Sequence, residues 1–144
     1  MENYEKAAET RLKDFCVLRN NSRKVGTIHF GGIYIECLLK SMICCKYHVT
    51  EGSNNNKWLI DSNEVTRPAH RLLSRDYKHL LADIYDDMSP DVEHAMEYVS
   101  DPDNVNFIDY RYRQEELVSN QEYQEFLKNF QLVFHYLQGK KREL

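Results

Sequence analysis

The residues that most constrain the fold are 28–45, IHFGGIYIECLLKSMICC, an apolar run whose only fully charged members are Glu36 and Lys40. A helix that is apolar on nearly every side is typical of the centre of a bundle, where charged groups are rarely buried without a partner. At about 100° per residue, His29, Glu36 and Lys40 lie within about 40° of one another. This ionisable stripe faces either a polar cleft or a subunit interface. Alternatively, Glu36 and Lys40 form an ordinary intrahelical ion pair, worth about 0.2–0.5 kcal/mol on a surface.

Most of the remaining chain also shows a helical pattern. The apolar run predicts a helix over residues 27–47, and four other stretches carry hydrophobic residues at helical spacing. These stretches are residues 3–20, 66–88, 90–99 and 119–139. We therefore expect one all-α domain over residues 1–144, folded as an up-and-down bundle of four main helices plus a short extra helix.

Capping and breaking residues predict where several of these helices begin and end. Residues 66–68, Thr-Arg-Pro, have the form of an N-cap followed by proline in the first turn. Ser119 with Glu122 three residues later has the capping-box pattern, and Gly139 predicts the end of the last helix. The two glycines at 31–32 predict a place where another backbone packs closely against the apolar helix.

Two polar stretches interrupt the helical pattern. Residues 48–66 contain three consecutive asparagines and a glycine, which suit turns, and also Trp58, the only tryptophan. Residues 58–60 form either a short strand or a flap over the bundle, unless the tryptophan only anchors the loop to the core. Residues 100–118 are predicted as a second loop.

Composition and charge narrow the classes of function. The chain is 42% hydrophobic and 29% charged, as in soluble globular proteins, and its net charge of −4 argues against a domain that binds duplex DNA. No apolar targeting segment opens the chain, and charge interrupts the apolar run before the ~20 residues of a membrane span, so we expect a cytoplasmic protein. The four cysteines include no CxxC pair and no histidine knuckle. We therefore expect free thiols, no metal site and no cofactor.

A second candidate site combines arginines with tyrosines. In residues 109–113, DYRYR, two arginines alternate with two tyrosines. Guanidinium groups bind phosphate through bidentate hydrogen bonds, and aromatic rings stack on a nucleobase. The segment is therefore the best ligand-binding candidate in the chain. The alternative is an ordered loop whose arginines cap neighbouring helices or pair with carboxylates such as Glu115 and Glu116.

The order of three sequence elements resembles the HEPN domain family. The elements are YIECLLKSM on the apolar helix, KHLLADIYDDM on a later helix and DYRY before a final aromatic-rich helix, and the resemblance extends over about residues 28–137. It implies a helical bundle that forms a homodimer and binds a nucleotide or RNA, with an antitoxin or a nucleotidyltransferase as a possible further partner. Carried over position by position, the matching polar residues are Glu36, Lys40, His79, Arg111 and Tyr112.

Some HEPN branches are metal-independent ribonucleases of toxin or defence systems with an Arg-x(4–6)-His motif, and this chain departs from that pattern. No arginine and histidine within residues 66–88 have the required spacing. Arg23 and His29 have it, but at the start of the apolar helix, whereas the motif is expected late in the bundle. The departure favours binding over catalysis.

Three hypotheses follow. The leading one is a nucleotide-binding or RNA-binding homodimer, with a site made of Glu36, Lys40, His79, Arg111, Tyr112 and Arg113. The second is a metal-independent ribonuclease, with His79 as general acid or base and Arg111 stabilising the phosphorane charge. The third is a non-catalytic structural or adaptor bundle, in which the ionisable stripe is an ion network at a dimer interface.

Overall fold

The computed structural model describes residues 3–46, 49–51, 58–62, 65–68 and 88–143, and these are mostly helical, as predicted. They contain four α-helices: α1 (Tyr4–Asn20), α2 (Lys24–Lys46), α3 (Pro90–Ser100) and α4 (Asn120–Lys141). Short 3₁₀ turns at Pro102–Asn104, Phe107–Tyr112 and Glu115–Leu117 lie between α3 and α4. Three short strands lie between α2 and α3: β1 (Val49–Glu51), β2 (Trp58–Ser62) and β3 (Val65–Pro68).

A tight corner joins α1 to α2, which pack side by side. The side chain of Asn3 caps the start of α1. At the other end, Ser22 adopts a left-handed backbone with φ of 53°, and the amides of Ser22 and Arg23 donate to the carbonyl groups of Arg19 and Leu18. This is the Schellman arrangement, which satisfies the last carbonyl groups of a helix and turns the chain away.

The core lies along α2, as the apolar run predicts. The helix begins at Lys24, three residues before the predicted start, and ends at Lys46. Side chains of all four described helices pack in one cluster around it. Its fully buried large members include Phe15, Ile28, Ile35, Leu39, Ile43, Val99, Phe126 and Leu137.

Gly31 and Gly32 of α2 are approached closely by aromatic rings rather than by the backbone we expected. A Cβ at Gly32 would lie 2.2 Å from Cγ of Phe107, and a Cβ at Gly31 would lie 2.9 Å from Cζ of Phe126. Both distances are shorter than a carbon–carbon contact allows. Glycine is therefore the residue that fits both positions without a shift of the neighbouring rings.

The region after α2 forms a small antiparallel sheet in the order β1-β2-β3. Ile60 in the central strand pairs with Val49 on one side and with Arg67 on the other. Because β2 begins at Trp58, the strand alternative for residues 58–60 is confirmed.

The predicted helix start at residues 66–68 is wrong, because these residues lie in β3. Cross-strand hydrogen bonds with β2 take the place of helical ones there, and the residue before a proline favours extended backbone. Residues 69–87, the rest of that predicted helix, lie outside the described residues.

Serine caps begin the last two helices where the sequence predicts them. The hydroxyl of Ser89 accepts a hydrogen bond from the Val92 amide at 3.4 Å, and that of Ser119 accepts one from the Glu122 amide at 3.1 Å. The predicted end at Gly139 is wrong, because α4 continues for two more residues. Gly139 does not adopt the left-handed backbone by which a glycine ends a helix.

Among the described residues, α2 is long and apolar enough to cross a membrane by length and composition. More than half of its apolar window is buried inside the protein, and the core helix of a soluble protein passes the same test. This is weak evidence for a membrane span, and the cytoplasmic localisation stays a prediction.

Candidate functional site

The connecting segment, which we define as residues 101–118, is held against the amino-terminal half of α2 by Phe107. The carbonyl oxygen of Phe107 lies 3.0 Å from Nδ1 of His29. Since a carbonyl group only accepts, Nδ1 carries the proton and donates it. The buried ring of Phe107 covers Gly32, one turn along the same helix. His29, a member of the predicted ionisable stripe, therefore positions the connecting segment.

Glu115 holds the other end of the connecting segment against the start of α2. Its carboxylate accepts hydrogen bonds from the backbone N–H groups of Lys24 at 2.5 Å and Val25 at 3.0 Å. The first amides of a helix have no partner within the helix, and a negative charge is favourable beside them. Glu115 therefore caps α2 from a distant part of the chain, while the ammonium group of Lys24 donates to the Val118 carbonyl at 3.0 Å.

Glu122, in the first turn of α4, binds the middle of the connecting segment. Its carboxylate accepts hydrogen bonds from Nη1 of Arg113 at 2.6 Å and from the hydroxyl of Tyr110. The guanidinium of Arg113 also lies over the Tyr110 ring, 4.9 Å from its centroid. Burial and the adjacent Glu122 carboxylate raise the pKa of Tyr110.

Two members of residues 109–113, Tyr110 and Arg113, belong to this network. The ring of Tyr110 is fully buried and is closed to a ligand. Arg113 is paired with a carboxylate, as the ordered-loop alternative states, although the partner is Glu122 rather than Glu115 or Glu116. These two residues hold the connecting segment in place.

Arg111 and Tyr112 occupy the exposed side of the same turn. The guanidinium of Arg111 lies over the Tyr112 ring, 4.6 Å from its centroid, and 74% of Tyr112 is exposed. Asn106 fixes the start of this turn, since its side chain accepts from the amide of Ile108 at 3.0 Å. The result is an exposed arginine–tyrosine stack on a backbone held by buried neighbours.

Glu36 and Lys40 form the intrahelical ion pair that their spacing predicts. Nζ of Lys40 lies 3.3 Å from Oε1 of Glu36, and the side chains are 17% and 29% exposed respectively. The same ammonium group lies over the ring of Tyr4 in α1, 5.6 Å from its centroid. Between described residues, no hydrogen bond or ion pair connects this pair with Arg111 or Arg113.

The structure describes only some of the remaining predicted groups. His79, the proposed acid or base, lies outside the described residues. The four cysteines are free thiols, and burial raises the pKa of Cys44 to about 11. In the described part of the chain, no group of three or more histidine, cysteine, aspartate or glutamate side chains could hold a metal ion.

Sequence reasoning missed the roles of two carboxylates. The alternative interpretation of residues 109–113 named Glu115 as a possible partner of an arginine, and Glu115 caps α2 instead. We expected Glu122 to complete a capping box with Ser119, and its carboxylate instead binds Arg113 and Tyr110. The capping-box pattern signalled that Glu122 is at a helix start, but no local pattern signals a partner 91 residues away.

Comparison with known proteins found no similar protein. No family model, no curated protein and no solved structure matches the chain significantly. The likeness to the HEPN family therefore rests on the three sequence elements within residues 28–137 alone.

Proposed function

We propose that this chain is a HEPN-like helical domain that acts as a homodimer and binds a nucleotide or an RNA segment through Arg111 and Tyr112. Arg111 binds a phosphate, and the Tyr112 ring stacks on the base. The observation that supports the proposal is the exposed arginine–tyrosine stack on an anchored backbone. The homodimer rests on the order of the HEPN-like elements.

The anchored backbone is what makes this surface suitable for a ligand. Buried Phe107 and Tyr110 hold the turn from beneath, so little conformational freedom is lost when a ligand binds. Base stacking on an aromatic side chain is worth about 1–3 kcal/mol. Arg113 has a positioning role in this proposal, because its guanidinium is already bound to Glu122.

Glu36, Lys40 and His79 stay in the proposal as secondary contacts. A phosphate that approaches Lys40 has to compete with the Glu36 carboxylate. Arg111 has no such competitor among the described residues, so it makes the first contact.

Thermal unfolding in the presence of nucleotides and short RNAs tests the proposal. A ligand that binds only the folded state raises the melting temperature. We expect such a rise in the wild type and its loss in Arg111→Ala/Tyr112→Ala, with affinity about 5-fold to 150-fold lower, as the removal of one stacking contact implies.

The matched control is Arg142→Ala, which removes the same charge from an exposed position at the carboxyl end of α4. It should bind like the wild type. The proposal is wrong if the double variant, folded and as stable as the wild type without ligand, keeps full affinity.

The other two hypotheses have different signatures. The ribonuclease hypothesis predicts RNA cleavage that persists in the presence of a chelator and is lost in His79→Ala. No contact of a described residue favours this hypothesis. The adaptor hypothesis is consistent with the closed Glu36–Lys40 pair. It gains support if no nucleotide or RNA shifts the melting temperature of the wild type.

A further inference from the structure

The connecting segment carries an excess of negative charge. Residues 101–118 contain five carboxylates and two guanidinium groups, which gives the segment a net charge of −3. None of the five carboxylates forms an ion pair with a described residue. The nearest to the arginine–tyrosine stack in sequence is Asp109, which is exposed and precedes Arg111 by two residues in the same 3₁₀ turn. At a rise of about 2 Å per residue, the two lie about 4 Å apart along the axis of the turn, well within the Debye length of about 10 Å.

The other cationic groups in and around the connecting segment are already bound. The guanidinium of Arg113 is paired with the Glu122 carboxylate at 2.6 Å. The ammonium group of Lys24 donates to a backbone carbonyl group of the segment at 3.0 Å. Phosphates often bind the free amides at a helix N-terminus, but at the start of α2 the carboxylate of Glu115 already accepts from them. Within the described part of this surface, Arg111 is therefore the cation that remains for a phosphate.

One guanidinium group matches one phosphate group. Its planar N–H groups bind two phosphate oxygens through parallel hydrogen bonds. A second or third phosphate on the same ligand adds negative charge without a free cation to receive it. Two like unit charges about 8 Å apart in water weaken binding by about 2-fold when salt does not screen them. Further phosphates therefore lower the affinity at this surface.

We infer, on the basis of the proposed function, that the ligand is a nucleoside monophosphate, which the carboxylates of the connecting segment select against the diphosphate and triphosphate of the same nucleoside. Arg111 binds the single phosphate, and the Tyr112 ring stacks on the base. Asp109 is the specificity-determining residue, because it is the carboxylate nearest to the stack in sequence and has no ion-pair partner among the described residues. Affinity passes through a maximum at one phosphate.

Isothermal titration calorimetry with adenosine and its mono-, di- and triphosphate tests the inference. The titrations are made at low salt with a chelator, so that no divalent cation neutralises the phosphates. Adenosine should bind more weakly than the monophosphate, because it offers no phosphate to Arg111. The triphosphate should also bind more weakly than the monophosphate, by about 4-fold for its two added charges. This second difference should shrink as the salt concentration rises, because salt screens exposed charges.

Asp109→Asn removes the charge nearest to the stack and nearly preserves the shape of the side chain. It should reduce the ratio of monophosphate to triphosphate affinity by about 2-fold. The matched control is Asp91→Asn, the same change at an exposed position at the other end of α3. Asp91 and Asp101 are ten residues apart, or about 15 Å along the helix. The control should keep the affinity ratio of the wild type.

The outcomes separate this inference from the proposed function. If the wild type binds none of the four compounds and no short RNA, the proposed function is wrong and the inference with it. If a short RNA binds but none of the four compounds does, the inference alone is wrong. The inference is also wrong if the triphosphate binds the wild type at least as tightly as the monophosphate. A preference for the monophosphate that neither salt nor Asp109→Asn reduces would overturn it as well.

Discussion

At the scale of single residues, the contact between Gly32 and Phe107 leaves no room for a larger side chain at position 32. A Cβ at position 32 would lie 2.2 Å from Cγ and 2.6 Å from Cβ of Phe107, atoms near the root of that side chain. The ring cannot move away without moving the backbone of the connecting segment. We expect Gly32→Ala to lower the free energy of unfolding by about 1–3 kcal/mol, measured by urea denaturation.

The matched control is Gly139→Ala, since a Cβ there meets no heavy atom within 4 Å. Alanine is favoured over glycine inside a helix, so this variant should gain about 0.5–1 kcal/mol. A Gly32→Ala variant at least as stable as the wild type would show that the connecting segment does not pack on α2 as described.

Residue spacing predicts local pairs better than distant ones. The Glu36–Lys40 ion pair could be predicted because its partners are one helical turn apart. Which of residues 109–113 anchor the connecting segment and which are exposed could not be predicted. It depends on Glu122, which binds Arg113 and Tyr110 and leaves the Arg111–Tyr112 stack in solvent.

At the scale of elements, α2 depends on a carboxylate from outside the helix. Glu115→Gln keeps the shape of the side chain but removes the charge beside the first amides of α2. We expect a loss of about 0.5–2 kcal/mol of folding free energy, the usual range for a helix cap. Thermal unfolding by circular dichroism measures it.

Glu116→Gln is the comparison, because Glu116 is exposed and has no hydrogen bond to the amides of α2. It should unfold at the temperature of the wild type. If the two variants lose equal folding free energy, the position of the Glu115 charge beside the first amides of α2 contributes nothing, and only the change in net charge matters.

Helix starts were predictable where the cap is local. Ser89 and Ser119 each accept a hydrogen bond from an amide three residues later, so the signal lies within four residues. Residues 66–68 carry a similar signal, but pairing with β2 makes them a strand. Strand pairing joins residues that no local pattern relates, and for this reason the sheet was indicated only at residues 58–60.

At the scale of the whole molecule, two tyrosines that are buried or partly buried make the fold sensitive to alkaline pH. Burial raises the pKa of Tyr34 and of Tyr98 from 10.0 to about 12. The folded state therefore holds these protons more tightly than the unfolded state. Their contribution to stability is complete below pH 10 and is lost as the pH rises toward about 12.

Urea denaturation between pH 9 and pH 12 measures this loss, since this range includes the window between the pKa values of 10.0 and about 12. The free energy of unfolding should fall more steeply with pH in the wild type than in Tyr34→Phe/Tyr98→Phe. Parallel curves for the two proteins would contradict the prediction. The double variant should be less stable at neutral pH, since it loses the hydrogen bond from Gln138 to Tyr34.

The cap on α2 also has a consequence for the order of folding. α1 and α2 are neighbours in sequence, and so are α3 and α4, whereas the Glu115 cap joins residues 91 positions apart. Contacts between distant parts of a chain require closure of a large loop and form late on the folding pathway. A residue whose interactions are absent from the transition state changes the unfolding rate rather than the folding rate. We therefore expect that removal of the Glu115 carboxylate shortens the lifetime of the folded state without slowing its formation.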